Sequence, residues 1–233
     1  MSINNFTAVI LSYKRPGNIQ RICETILEIK AVDKLILSNN NPEIDLTDYV
    51  SINDSRFFFI EQKEHCACIK RFEIAYSSPS KFYFCIDDDL FFNRNQIQYL
   101  MDVLVTDPSR PHGFWGQNYT VRGDKIRFHQ PVVNKSTTID ILNRAYFFSW
   151  AHLVKLLNLV QLSQTYLTDV GTVDDIFLSF SGKKKPQLHN IDCFENCPTS
   201  NEKGIATWLR DDFEIKRIKA LEFILKVRTR NDV

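Results

Sequence analysis

Phe82-Tyr83-Phe84-Cys85-Ile86-Asp87-Asp88-Asp89-Leu90-Phe91-Phe92 sets three consecutive carboxylates between two apolar, aromatic-rich runs. The first run is short and unbroken by polar residues, which predicts a strand buried on both faces. Ionised aspartates rarely enter such surroundings unpaired, so the triplet marks the point where the chain leaves the core. In an extended chain Asp87 and Asp89 project to one side and Asp88 to the other. Two hard oxygen donors at the C-terminal edge of a sheet, where open α/β folds take their ligands, suit Mg²⁺ or Mn²⁺ shared with a phosphate-bearing ligand. The plain alternative is a solvated acidic turn. The hydrophobic flanks on both sides favour a site.

Upstream, Phe6 to Ser12 reads as a buried parallel strand running into the turn Tyr13-Lys14-Arg15-Pro16-Gly17. A helix is expected over about 18–30, with Ile19, Ile22, Ile26 and Ile29 as its core stripe. Lys34 to Ser38 is a second strand, ending in Asn39-Asn40-Asn41-Pro42, and Arg56 to Ile60 a third. Strand–helix–strand order implies a parallel sheet with right-handed crossovers. The strand ends place Ser12, Tyr13, Arg15, Asn39 and Asn40 along the same edge as the acidic triplet, suited to a nucleotide, although Asn-rich turns also arise for conformational reasons alone. A helix over about 68–77 should turn Ile69, Phe72, Ala75 and Tyr76 inward. Lys70 and Arg71 near its start oppose the helix dipole unless an anion lies close by.

Downstream, Arg94 to Asp107 is an amphipathic helix stopped by Pro108 and Pro111. Gly113 to Phe128 then reads as short antiparallel strands with a turn at Gly123-Asp124, followed by strands at 139–142 and 145–149 and a helix at 151–160. The aromatics Trp115, Tyr119, Tyr146, Phe147, Phe148 and Trp150 divide between core and a surface on which a sugar could stack. In Thr172-Val173-Asp174-Asp175-Ile176, Thr172 is a fair N-cap, and the carboxylates then favour the first turn of a helix. The chemical reading of the same residues is a rigid carboxylate acting on an acceptor hydroxyl, with Gly171 permitting close approach. His189 is a candidate third metal ligand or phosphate contact, although a lone His more often serves as neither. The tail from Ile205 to Arg230 carries Arg210 and Arg217 on a basic helix that could close over phosphates or rest on a membrane surface.

Composition narrows the class. Lys and Arg number 29 against 28 Asp and Glu, so bulk charge does not point to nucleic acid. The first apolar run, Phe6 to Leu11, is too short for a signal sequence or a membrane span, which gives a soluble, cytoplasmic expectation with peripheral membrane contact through the tail. In that compartment the six cysteines are expected as reduced thiols.

Together these features resemble the GT-A nucleotide-sugar glycosyltransferases, in the region shared by family-2-type and exostosin-like enzymes. The carrying residues are the strand ending Ser12-Tyr13-Lys14-Arg15-Pro16, the Asn39-Asn40-Asn41 strand end, the basic helix before the hydrophobic strand, Asp87-Asp88-Asp89, and the Asp174-Asp175-Ile176 helix. Trp208-Leu209-Arg210 and Arg217 are similar to the basic C-terminal segment of exostosin-like enzymes. The resemblance spans about Phe6 to Phe180 and implies a Rossmann-like, mixed but mainly parallel sheet flanked by helices, with a smaller antiparallel acceptor-side region. The expected organisation is one domain over 1–233: a nucleotide-binding half to about 110, an acceptor-side half to about 200, and a helical tail.

The resemblance implies that Asp87 lies by the ribose and metal, that Asp89 ligates the metal, and that Asp88 is available to sugar or metal. Arg71 would contact donor sugar or diphosphate. Asp175 is the better catalytic candidate, since members usually carry Glu-Asp where this chain has Asp174-Asp175. The implied activity is metal-dependent transfer from a UDP-sugar to a glycan or glycolipid hydroxyl, in the manner of surface polysaccharide synthesis. Stereochemistry stays open, and so do two other readings: a Mg²⁺-dependent nucleotidyltransferase, and a carbohydrate-binding module without catalysis on the same fold.

Overall fold

The computed structural model describes residues 5–164, 167 and 170–231, and the remaining N-terminal residues of the polar start lie outside them. The first half runs β1 (Phe6–Ser12), α1 (Pro16–Leu27), β2 (Val32–Asn39), β3 (Phe57–Glu61), α2 (Lys70–Tyr76) and β4 (Phe82–Ile86). Next come β5 (Leu90–Phe91), α3 (Arg94–Thr106), β6 (His112–Gly113), β7 (Trp115–Gln117), β8 (Tyr119–Arg122) and β9 (Lys125–Phe128). The chain continues with β10 (Val132–Val133), β11 (Thr137–Thr138), β12 (Ile141–Leu142), β13 (Ala145–Ser149), α4 (Trp150–Gln164) and α5 (Asp174–Ser179). It closes with β14 (Gln187–Leu188), β15 (Glu195–Asn196) and α6 (Phe213–Asn231).

The main sheet has the order β11-β14-β6-β13-β4-β1-β2-β3. Pairing is parallel from β4 through β1 and β2 to β3, and β13 joins β4 antiparallel. Two crossovers lead away from β1 in one direction, and the chain then returns to lay β4 on its other side. The gap between the ends of β1 and β4 is therefore a topological switch point, where such sheets bind ligands. Smaller sheets, β10-β7-β12 and the β8-β9 hairpin, extend the second half. This is the mixed, mainly parallel arrangement with antiparallel additions that the resemblance implied.

Strand alternation divides the core into two faces. Phe6, Ala8 and Ile10 of β1 pack with Phe82, Phe84 and Ile86 of β4 beneath α1 and α3. Val9, Tyr83 and Cys85 face the other way, with Phe72, Leu153 and Ile176 of α2, α4 and α5. Both sides of β4 are thus buried, as its unbroken apolar composition requires. At the β4–β13 seam, Phe147 lies opposite Phe84 and Phe148 opposite Tyr83. Their rings stack with centroids 5.2 and 5.6 Å apart. In α1, which starts at Pro16 and ends at Leu27, Ile19, Ile22 and Ile26 face inward, Ile29 is buried just past its end, and Asn93 with Gln96 forms a reciprocal capping box on α3.

Several local expectations change. Tyr76 is not inward: it is 48% exposed and stacks on Trp150, because α2 ends there against α4. Thr172 does not cap α5. The cap position is Val173, and Thr172 belongs to a preceding 3-10 turn with its hydroxyl buried and unpartnered. The tail helix begins only at Phe213, after an irregular stretch with short 3-10 turns at Pro198–Asn201 and Thr207–Leu209. Phe147 and Phe148 are wholly core, and Trp150 sits beside Lys81, at the end of β4 opposite the aspartates. All six cysteines are free.

Replacing Phe84 by Ala removes a ring buried on the seam and leaves a cavity between two strands that cannot close up. The expected loss of stability is about 3–5 kcal/mol in a urea titration, with the slope unchanged. A loss below about 1 kcal/mol would mean that the seam does not hold the two halves together.

Candidate active site

β4 stays extended only to Ile86. Asp87, Asp88 and Asp89 form a tight turn closed by the Leu90 amide donating to the Asp87 carbonyl at 3.3 Å. The carboxylates therefore do not alternate as in a strand, and each has a different arginine as its nearest cation. Asp87 Oδ1 lies 2.6 Å from Arg71 Nη1. Asp88 points towards the end of β1, accepting from Arg15 Nη1 at 2.7 Å and from the Tyr13 amide at 3.0 Å. Asp89 Oδ1 lies 3.0 Å from Arg144 Nη2, and its Oδ2 is 3.4 Å from Arg15 Nη2.

Arg71 also spans to the second acidic motif, with Nε 3.2 Å from Asp174 Oδ2. Gly171 makes this approach possible. A Cβ there would fall 2.5 Å from the Ala67 Cβ, and its carbonyl accepts from Ile69 just before α2. The carboxylates that Arg71 meets are the anions whose presence its position near the helix start demanded. Next door, Asp175 Oδ2 accepts from Asn143 at 2.9 Å and lies 2.8 Å from Arg217 Nη2. Asp175 Oδ1 is buried without a partner. The Arg217 guanidinium is itself held by Gln117 and lies over the Phe128 ring.

The electrostatics follow from burial. Asp88 is pushed up to about 6 by desolvation, against the pull of Arg15 and the Tyr13 amide. Asp174 rises to about 7, again chiefly by desolvation, with Arg71 drawing it back and Asp175 adding to the rise. Burial also raises Asp87; Arg71 opposes the rise and Asp89 adds to it, so Asp87 and Asp89 repel one another. Asp87 keeps 29% of its side chain exposed, and carboxylate oxygens are the donor chemistry that hard divalent cations take.

The structure thus brings together Asp87, Asp88, Asp89, Arg15, Arg71, Asp174 and Asp175, with the Tyr13 backbone. Ser12 ends β1 nearby with its hydroxyl buried and unpartnered. Other candidates are engaged elsewhere. Asn39 binds Ile44 and Glu61, and Asn40 clasps Cys66 through both its amide atoms, so these side chains shape the loop over β2. His189 pairs with His112 at 2.9 Å and approaches Tyr99 on the α3 side. His189 is thus engaged by His112, and among the described residues no three His, Cys, Asp or Glu side chains form a metal-holding group. Arg217 meets Asp175 rather than the aspartate turn, and Arg210 is exposed, near His65.

Three participants escaped sequence reading: Arg144, Asn143 and the segment 195–204. That segment crosses the aspartate turn. The Cys197 amide donates to the Asp89 carbonyl at 3.0 Å, Arg15 binds Thr199, Arg144 binds Asn196 and Ser200, and Lys14 reaches the Gly204 carbonyl. None of the aspartates lines the groove of about 260 Å³ that runs beside β3 between Leu46, Val50, Ile52, Phe57 and Phe59. Residues 195–204 form a strap across the turn that carries them.

No protein-family model and no curated protein matches the sequence. Among solved structures, the chain is similar to S. aureus TarS, residues 1–349, with a TM-score of 0.53 and 10% identity. The match covers 84% of this chain and 61% of that one, so the chain spans about three fifths of that structure. At this identity the likeness establishes the fold. Among the described residues no helix is long and apolar enough to cross a membrane.

Because the folded Asp174 carboxyl protonates near 7 rather than near 4, the native state binds its proton more readily than the unfolded chain does. Asp174 therefore costs stability as pH rises from about 4 to about 7. Asp174→Asn removes that titration. Its melting temperature relative to wild type should rise by at least ~2 °C between pH 5 and pH 8, read by scanning fluorimetry. A difference that stays flat would place the Asp174 titration outside this range.

Proposed function

We propose that this chain is a metal-dependent glycosyltransferase of the GT-A type, moving a hexosyl group from a UDP-sugar to a hydroxyl of a glycan or glycolipid in surface polysaccharide synthesis. The observation that carries this reading is the aspartate turn at the β1–β4 switch point, tied through Arg71 to the start of α5. A sheet of this topology takes its ligand at that place, and the two acidic motifs offer one centre for charge and one for a proton.

Asp87 and Asp89 would hold Mn²⁺ or Mg²⁺ beside the donor's diphosphate. When bound, the ion supplies Lewis-acid stabilisation of the departing nucleoside diphosphate. Arg15 and Arg71 lie within reach of the same charge and add charge-assisted hydrogen bonds. Asn143 and Arg217 fix one oxygen of Asp175, leaving Oδ1 to receive the acceptor proton. As the acceptor oxygen bonds to the anomeric carbon, the bond from that carbon to the diphosphate oxygen breaks, and its electron pair leaves with UDP. On this reading the chain works in the cytoplasm and meets lipid-linked acceptors at the membrane surface.

The test is a panel of nucleotide-sugars with and without Mn²⁺, scored for UDP release and for stabilisation against heat. Wild type should release UDP from at least one donor in an EDTA-sensitive manner. Asp89→Ala should lower this by about a thousandfold or more, on the scale of losing a main electrostatic contribution to catalysis. Release of pyrophosphate would point instead to nucleotidyl transfer. Glycan binding indifferent to EDTA and UDP would point to a binding module.

A further inference from the structure

Arg144 stands out among the residues at the aspartate turn. It adopts φ 67°, the left-handed region that costs a side-chain-bearing residue roughly 1–2 kcal/mol. Its backbone is fully used there: the amide donates to the Tyr146 hydroxyl at 3.1 Å, and the carbonyl accepts from the Asp87 amide at 2.9 Å. The strained position therefore holds the acidic turn in place and aims the guanidinium at Asp89. That guanidinium lies 4.8 Å over the Trp115 ring, 3.0 Å from Asp89 Oδ1, 2.7 Å from Asn196 Oδ1 and 3.2 Å from Ser200 Oγ.

Asp89 is thereby given two cations, Arg144 on one oxygen and Arg15 on the other. A dication shared by Asp87 and Asp89 would compete with Arg144 for the same oxygen and repel it. Arg144 would then be free to turn its planar fork, which suits two phosphate oxygens, towards an arriving diphosphate.

We propose, on the basis of the glycosyltransferase reading, that Arg144 is a diphosphate-binding residue that exchanges Asp89 for the donor's phosphates, and that without ligand it stands in for the cation. Asn196 and Ser200 are the strap contacts released in that exchange. The two states make opposite demands on the residue. Arg144 hinders the bare cation and helps the nucleotide.

The test is calorimetric titration with MnCl₂ alone and with UDP in saturating Mn²⁺, using Arg144→Asn, because Asn tolerates the left-handed backbone. Relative to wild type, the variant should bind Mn²⁺ alone about threefold or more tightly, and UDP about tenfold or more weakly. Arg144→Lys keeps the charge without the fork. It should leave Mn²⁺ binding within about twofold and weaken UDP about threefold, and it serves as the readout if the Asn variant does not fold. Parallel weakening of both ligands would show a purely structural role and overturn the proposal. So would an unchanged UDP affinity. Wild-type protein that binds neither Mn²⁺ nor UDP would instead remove the glycosyltransferase reading, and this assignment with it.

Discussion

The ion pairs made by Arg71 join the two acidic motifs. Its side chain is 10% exposed, and the guanidinium spans from Asp87 on the β4 turn to Asp174 at the start of α5. A buried charge persists only if its partners are equally well placed, since desolvation costs several kcal/mol per ion. Arg71 is on α2 for a local reason, in its first turn just after Ile69, whose amide is fixed by the Gly171 carbonyl. Three separate stretches of chain therefore meet at one guanidinium. Without it, Asp87 and Asp174 would face each other across a dry gap with no intervening positive charge.

The seam between β4 and β13 gives that meeting point its rigidity. Phe84 on Phe147 and Tyr83 on Phe148 fix the register of the two strands. With the register fixed, the turn preceding β13 falls beside the turn following β4. The Asp87 amide then donates to the Arg144 carbonyl, and Asn143 reaches Asp175. An aromatic core pattern with no chemistry of its own thus decides which polar residues share a site. A one-residue slip would turn every ring on the seam to the opposite face and separate the two motifs.

This also explains what could be read in advance. β1, β4, α1 and α3 were legible because their period and boundaries are local: apolar runs, a four-isoleucine stripe, proline stops. The aspartate triplet was legible because carboxylates after a two-faced strand must emerge at its end. Asn39 and Asn40 misled because a polar residue at a strand end serves a ligand or its own loop equally well, and here each closes a loop. His189 misled because its partner, His112, is 77 positions away. Arg144 gave no signal. It sits at a left-handed turn where Gly or Asn would be expected, and its four contacts, Trp115, Asp89, Asn196 and Ser200, come from three distant parts of the chain. Thr172 shows the limit of capping rules, since the 3-10 turn before α5 moved the cap one residue on.

Charge balance gives the site a further property. Asp87, Asp88, Asp89, Asp174 and Asp175 stand against Arg15, Arg71, Arg144 and Arg217, five acids to four bases in largely buried surroundings. The raised values of Asp88 and Asp174 let protons absorb part of the excess. A dication added alone would leave the cluster net positive, and a diphosphate added alone would leave it strongly negative. Each ligand is costly without the other, because charge in a dry site has little water to screen it. Under the proposed reading, cation and nucleotide are therefore coupled by the arginines rather than by direct contact alone. The strap over the rim, held by Arg15 and Arg144 to Thr199, Asn196 and Ser200, is anchored by two of the same guanidiniums. A ligand that recruited those two arginines would give up their strap contacts, while the Cys197 amide on the Asp89 carbonyl would still hold the segment to the turn.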